Sequence, residues 1–322
     1  MNVLVTGATG FVGSHLAEAL VRQGDQVTAL ARSPYKGEAL AATGVRLVQG
    51  DLHDLPALER ATAGQDAVYH VAGVVAAANE AEFLRANRDG TRNLVAAAER
   101  GGRPRFIFVS SMAAGGPASR GAPLTGAEPP RPVTAYGRSK LAAEQIVTGS
   151  GLPWCIVRPP MVYGPRDQEV LKVFRMARLG IAPVFGDGSQ ELSAVHGADL
   201  AQALIAVGRS AATVGRTYYA CHPEVFTSHE FVRAVGVAMG RRVAVVKVPS
   251  PVGRALLTLT ETCARLTRRT TILTRDKAHE FFAAAWTGDP ARLTRDTGWR
   301  AERDLRRGLA ETREWYRSAG WL

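Results

Sequence analysis

Six short apolar runs punctuate the first half of the chain: NVLVT (2–6), QVTAL (26–30), VRLVQ (45–49), AVYHV (67–71), RFIFVS (105–110) and WCIVRP (154–159). They are mostly continuous in apolar residues rather than alternating, as strands covered on both faces are. Between most of them lie stretches with apolar residues at helical spacing, such as FVGSHLAEALVRQG and ANRDGTRNLVAAAER. This pattern predicts a parallel sheet with helices on both sides, a doubly wound α/β domain. Gly24 marks the end of the first helix, and RGGRP the end of the helix before the fifth strand.

After Arg158 the texture changes. RPPMVYGPRD is dense in Pro and Gly, GIAPVFGDGSQ (180–190) reads as a loop, and from about residue 223 the pattern is mostly helical, with one short strand in VAVVKV. ADLAQALIAVGRS and RTYYACH read as a helix and a strand returning to the first domain. The expected organisation is a sheet domain over 1–163, rejoined by 195–222, and a smaller, mostly helical part made of 164–194 and 223–322. That part covers the C-terminal edge of the sheet, where open α/β sheets bind ligands.

The net charge of +11 raises the question of nucleic acid. Lysine stands only at 36, 140, 172, 247 and 277, and the arginines are dispersed among acids, so a solvated surface is the better reading and no nucleic-acid partner is expected. CARLTRR (263–269) closes an apolar stretch and could make weak peripheral contact with a membrane surface. No apolar run approaches the roughly 18–20 residues of a membrane span, and no leader pattern precedes NVLVT, so a cytoplasmic location is expected. Cys155, Cys221 and Cys263 are too scattered for a disulfide framework or a metal site.

LVTGATGFVGSHLAEAL (4–20) sets Gly7, Gly10 and Gly13 between the first strand and the first helix. Glycine lets the chain turn sharply at Gly7, approach a diphosphate at Gly10 and pack closely at Gly13, while the helix N-terminus offers free N–H groups to phosphate. A dinucleotide is the expected cofactor. The second strand ends in Ala31 and Arg32, with Lys36 close behind and no acid for a ribose 2′-hydroxyl; Asp25 precedes the strand. This favours NADP, with NAD remaining open.

TAYGRSKLAAEQ (134–145) places Tyr136 and Lys140 one helical turn apart, a pair that on its own is commonly surface. Taken with TGATGFVG, GDL (50–52), VYHVAG (68–73), FVSS (108–111), YGRSK (136–140), RPPMVYGPRD (158–167), VHGADLAQA (195–203) and the C-terminal GWR and GLAETREWY, however, it belongs to an ordered set. The chain resembles the extended short-chain dehydrogenase/reductase family, also called the NAD-dependent epimerase/dehydratase family, over essentially its whole length. In character it is nearest the 3-beta-hydroxysteroid dehydrogenase and dihydroflavonol reductase branch. The resemblance implies a Rossmann domain, with Tyr136 as catalytic acid or base, Lys140 as its partner and Ser111 as the hydroxyl that holds the substrate oxygen. It further implies that Thr9, Phe11 and Val12 join the three glycines around the cofactor, that Asp51 and Leu52 meet the adenine, and that Ala72, Gly73 and Pro159 line the cofactor's path. A homodimer through two helices per subunit is also implied. A free tyrosine ionises near pH 10. The expectation is that Lys140 and an oxidised nicotinamide lower that value enough for proton exchange.

Departures from the family pattern bear on the substrate. Nucleotide-sugar members carry an Asn and an Arg where this chain has Met161 and Leu192, and dehydratases carry an Asp-Glu pair where it has Met112 and Ala113. Without charge-assisted donors for a diphosphate, and without the acid pair that removes water, the expected reaction is NADP-preferring hydride transfer on a secondary alcohol or ketone of a hydrophobic small molecule. Met161 and Leu192 are its expected substrate contacts. A nucleotide-sugar 4-epimerase and a non-catalytic dinucleotide-binding scaffold are the rival readings. His70, His196 and Asn87 are expected to be structural. The amphipathic segments QEVLKVFRMARLGIAPVF and PVGRALLTLTETCARL are expected to be core before pocket wall.

Overall fold

A computed structural model describes residues 1–33, 40–267 and 270–322. Lys36 and the end of the CARLTRR stretch lie outside the described residues.

All six apolar runs form strands: β1 (Asn2–Thr6), β2 (Gln26–Ala31), β3 (Arg46–Gln49), β4 (Ala67–His70), β5 (Arg105–Val109) and β6 (Trp154–Arg158). Three short strands follow the change of texture, β7 (Met161–Tyr163), β8 (Ile181–Phe185) and β9 (Glu191–Leu192). They are succeeded by β10 (Ala194–His196), β11 (Arg216–Tyr219), β12 (Phe226–Thr227), β13 (Ala244–Val248) and β14 (Ala285–Trp286). The central sheet is parallel and seven-stranded, ordered β11-β6-β5-β4-β1-β2-β3. The RTYYACH segment does return to it, as the edge strand paired with β6 in the register Arg216 to Cys155. The order reverses direction between β1 and β4, so the loops after these two strands diverge and leave a crevice at the C-terminal edge.

The continuous apolar runs are explained by two cores, one on each face. Of the helices α1 (Phe11–Arg22), α2 (Leu55–Thr62), α3 (Gly90–Arg100), α4 (Ala135–Thr148), α5 (Glu169–Arg178) and α6 (Gly197–Arg209), all but α5 cover the sheet, and α5 packs in the C-terminal part. Leu16 and Leu20 of α1 and Leu200 and Leu204 of α6 bury one face over Val3, Val5 and Ile107. Leu58 of α2, Leu94 of α3 and Val147 of α4 bury the other over Leu4, Phe106 and Phe108. Each large side chain fully removed from water contributes roughly 1.5–3 kcal/mol. The helix expected over 86–100 departs from regularity: Leu84–Asp89 is a π-helical segment that runs into α3.

The longest helices of the C-terminal part are α7 (Ser228–Ala238), α8 (Ser250–Leu266) and α9 (Leu305–Ser318). A third core of Tyr163, Phe174, Phe231, Leu309 and Tyr316 holds it together. The loop expected at 180–190 is in large part strand: β8 pairs in parallel with β13, with Ile181 opposite Ala244. Glycines in the left-handed region at 180 and 186 end it on either side. Ala182 and Val184 face the core while Ile181 and Pro183 face out, an alternation too short to stand out among Gly and Pro. Strands β12 and β14, two residues each, both pair with β9 and were not legible either.

Candidate active site

The glycine loop meets the requirements that its spacing raised. Gly7 has φ +74°, and a side chain there would come within 2.7 Å of the Ala72 amide nitrogen. At Gly13 a Cβ would lie 2.1 Å from the Gly7 carbonyl oxygen, so the helix packs against the turn itself as well as the strand. A Cβ on Gly10 would meet only the Gly7 oxygen, at 3.2 Å, and Thr9 and Gly10 are exposed. No side chain caps α1 and its first turn holds no acid, so its N–H groups and partial positive charge face outward. Phe11 and Val12 are half-buried beside this opening. A diphosphate fits here on both steric and electrostatic grounds.

Beyond the loop, Arg32, Gln49, Gly50, Asp51, Asp54 and Arg60 line a cleft of about 400 Å3. Asp51 is exposed and turns one oxygen back to the His53 amide, 2.7 Å away. Leu52 packs on the other side, where it would collide with any side chain on Gly90. Arg60, which comes from α2, had no signal in the sequence: folding brings it beside Arg32.

Ser111, Tyr136 and Lys140 converge at the mouth between β5 and α4. Ser111 lies two residues beyond β5 and caps the turn Met112–Gly115, its hydroxyl accepting a hydrogen bond from the Ala113 amide at 3.1 Å. Its hydroxyl also shares a hydrogen bond with the Tyr136 phenol. Thr134 caps α4 by accepting from the Gly137 amide at 3.2 Å, which fixes the first turn on which Tyr136 sits. Lys140 is buried, donates to the Val109 carbonyl oxygen at 2.8 Å and stands 4.3 Å from the centre of the Phe108 ring. A Cβ on Gly73 would lie 3.6 Å from its ammonium, so the cofactor path expected along Ala72 and Gly73 passes beside Lys140. Pro159 is buried, its carbonyl oxygen accepting from the Met112 amide at 2.9 Å.

The electrostatics correct one expectation. Burial pushes the Tyr136 phenol up to about 12; the Ser111 hydrogen bond pulls it down and the Glu280 carboxylate adds to the rise. Lys140 does not lower it, because the ammonium is directed at Val109 and Phe108. Instead burial drops Lys140 itself to about 8, against a smaller upward pull from Glu144. The protein by itself therefore keeps the phenol protonated, and any lowering must come from a positive charge that binds beside it.

Neighbouring polar groups hold the frame. Glu144 and Arg158, each about 5 % exposed, form a bidentate pair with contacts of 2.8 and 2.6 Å, and Ser110 donates to Glu144 at 2.5 Å. Asn87 grips Val74 through both its amide and its carbonyl, at 2.8 and 3.1 Å, and donates to Ser139 at 2.9 Å. His70 contacts Thr6 and Thr91 hydroxyls through its two ring nitrogens, and burial drives it down to about 3, so it is neutral structure. His196 is buried too; its Nδ1 accepts from the Ala198 amide that it caps, while Nε2 has no partner among the described residues. Met161 and Leu192 are half-buried and pack against the third core from β7 and β9.

Tertiary contacts add residues that the sequence did not announce. The Asp276 carboxylate accepts from the Ala135 amide at 2.7 Å, and Glu280 accepts from the Thr134 hydroxyl at 2.8 Å, so the C-terminal part clamps the first turn of the tyrosine helix. Lys277 pairs with Glu280 and stands 5.6 Å from the centre of the Tyr136 ring. About 140 residues of chain separate these partners, and no local pattern marks them.

The family model described as NAD dependent epimerase/dehydratase family matches residues 3–221. The chain belongs to that family. Among curated relatives, a protein named ceramide reductase from Caulobacter vibrioides is 32% identical over 321 residues, covering 99% of this chain and 96% of its own length. A 3-beta-hydroxysteroid dehydrogenase from Mycolicibacterium neoaurum is 30% identical, over 77% of this chain and 72% of its own. Among solved structures, MoeE5 in complex with UDP-glucuronic acid and NAD superposes with a TM-score of 0.80 at 26% identity, covering 99% of this chain and all of its own. With reductases and dehydrogenases as relatives, this family member is an NAD(P)-dependent oxidoreductase.

Proposed function

We propose that the protein carries out NADP-preferring hydride transfer between nicotinamide and a secondary alcohol or ketone carbon of a hydrophobic, lipid-like substrate. The observation that carries the reading is the convergence of half-buried Ser111 and Tyr136 with buried Lys140, in a chain where Met161 and Leu192 stand for polar donors and Met112 and Ala113 for an acid pair. The nicotinamide, when bound, supplies or accepts the hydride. The chain's own residues do the rest. Ser111 and Tyr136 donate to the reacting oxygen, Tyr136 gives up or takes the proton at its phenol oxygen, and Lys140 holds a positive charge near the cofactor path. A phenol held near 12 is in its donating form at neutral pH, as reduction of a ketone requires. Arg32 and Arg60, lining one cleft, favour a 2′-phosphate. Similarity to ceramide reductase along the whole chain supports a long-chain lipid ketone as substrate.

Tyr136→Phe should leave NADPH affinity within about twofold and lower turnover by about 100-fold or more on any ketone accepted by the protein. Unchanged turnover would sink the assignment. A second reading, a nucleotide-sugar 4-epimerase, draws on the likeness to MoeE5 with its UDP-sugar ligand. Thermal shift separates the two: stabilisation by UDP-glucose, and none by long-chain ketones in the presence of NADP, would favour the epimerase.

A further inference from the structure

Helix α4 has no acid of its own in its first turn, so the carboxylates at its N-terminus come from the C-terminal part. Asp276 accepts from the Ala135 amide at 2.7 Å, and one oxygen of Glu280 accepts at 2.8 Å from the hydroxyl of Thr134, the residue that caps the helix. Glu280 is itself held in place. Its backbone carbonyl receives the Gln190 side-chain amide at 2.8 Å and the Trp286 indole at 2.9 Å, two donors from outside its own turn.

These contacts would complete a clamp, yet Lys277 adds something that a clamp does not use. Among the described residues its ammonium meets no backbone group of α4; its partners are the second oxygen of the Glu280 carboxylate and the ring of Tyr136, whose centre is 5.6 Å away. The side chains of Lys277 and Glu280 are 22% and 16% exposed, so their charges act on the ring through a medium that screens less than open water. The other charges on the elements around the tyrosine are turned aside, paired or out in solvent. Lys140, on the same helix, is directed at Val109 and Phe108. Arg138 makes two contacts of 2.8 Å with Glu80 of the short helix Glu80–Phe83, whose Phe83 ring lies 6.0 Å from that of Tyr136. Glu82 accepts from the Ala78 amide at 3.0 Å, and Arg88 is bound to Asp89 at 2.8 Å in the π-helical segment. Arg85, Arg275 and His279 are exposed, and Ser111 brings a hydroxyl without charge.

A cation beside a phenol stabilises its ionised form and a carboxylate opposes it. Glu280 adds to the rise of the Tyr136 phenol, so its charge reaches that group. We propose that Lys277 and Glu280 are positioning residues for proton transfer at Tyr136: the lysine lays a cation on the tyrosine ring, and the glutamate fixes the turn that carries the ring and neutralises that cation. The C-terminal part thereby sets the charge felt by the phenol, and the balance within the pair decides how readily Tyr136 passes from proton donor to acceptor. The inference rests on the proposed role of Tyr136 as proton carrier and is independent of which substrate the protein takes.

The test reads the phenol itself, in the full chain with oxidised cofactor bound and no ketone or alcohol present. Tyrosinate ultraviolet absorbance is followed from about pH 6 to 10.5 in each form with and without Tyr136→Phe, so that the difference isolates residue 136. Glu280→Gln keeps an acceptor for Thr134 and frees the cation, and should move the midpoint down by about one pH unit. Lys277→Gln leaves the carboxylate unopposed and should move it up by a similar amount or out of the range. Lys277→Arg should keep the native midpoint, and Glu280→Gln/Lys277→Gln, with both charges gone, should fall between the two single variants. A purely structural clamp would move neither midpoint, or both the same way. Equal midpoints, shifts in one direction, or no ionisation of residue 136 in any form overturn the inference. NADPH affinity checks that each variant is folded. Should Glu280→Gln lose it, the Lys277 variants decide alone: a midpoint raised by Gln and kept by Arg upholds the pair, and any other result refutes it. No substrate enters the titration, so a protein that reduces no ketone refutes the proposed function and not the charge pair, while unmoved midpoints in a protein that does reduce ketones refute the pair alone.

Discussion

Lys140 is asked to stay charged where burial opposes it, and that conflict can be measured. Its ammonium is lowered from an ordinary 10.5 to about 8, which corresponds to about 3 kcal/mol of stability, at 1.36 kcal/mol per pH unit. The sign follows from proton binding. Between about pH 8 and 10.5 the unfolded chain holds this proton and the folded one does not, so stability rises with pH across that window. Below about pH 8 both states hold it, and the penalty is fully present. The residue is about 4% exposed, so solvent screening removes little of the effect. Lys140→Met eliminates the titration. Urea unfolding of the cofactor-free native and variant proteins at pH 7, 8, 9 and 10 gives the difference directly, because other groups, such as the buried tyrosines, cancel between the two. The native protein should gain on the variant by about 2–3 kcal/mol from pH 7 to 10, while the variant's turnover falls sharply at every pH. A difference that stays flat over this range would refute the claim that the ammonium is desolvated.

Arg32→Ala and Arg60→Ala should each weaken NADPH binding by about tenfold or more and spare NADH, as loss of a charge-assisted hydrogen bond does; calorimetric titration in which the NADPH to NADH ratio stays the same in both variants would remove the basis for NADP preference. Glu144→Ala leaves the Arg158 charge buried without its bidentate partner and should destabilise by about 3–5 kcal/mol, against about 1 kcal/mol for Ser110→Ala, and equal losses in denaturant unfolding would contradict the pairing. Gly13→Ala forces a Cβ to 2.1 Å from the Gly7 oxygen and should abolish dinucleotide binding. Gly24→Ala, with φ +83° but nothing within 4 Å, should cost only about 1–2 kcal/mol and bind normally.

Part of the site is legible in the sequence. The glycine loop could be read because its chemistry is local: Gly7, Gly10 and Gly13 and the helix start they precede lie within a dozen residues. Tyr136 and Lys140 also sit on one turn of one helix, but that spacing is common on surfaces, and only the ordered set of motifs along the chain singled the pair out. What the sequence could not carry was the direction of the lysine, which depends on Val109 and Phe108 of a different strand. For that reason the expected lowering of the phenol is replaced by a rise to about 12.

By itself, the order of apolar runs determined the doubly wound sheet, since a strand buried on both faces has to be apolar on both, and that demand is written into consecutive residues. Only the tertiary structure decided that 180–190 would hold a strand, that Arg60 would join Arg32, and that Asp276, Lys277 and Glu280 would close over the tyrosine helix. The reason is one of range. Backbone geometry and periodic burial act over a few residues and leave a pattern in the chain. The field at a phenol or a phosphate depends on whichever charges folding brings near, from any distance in sequence.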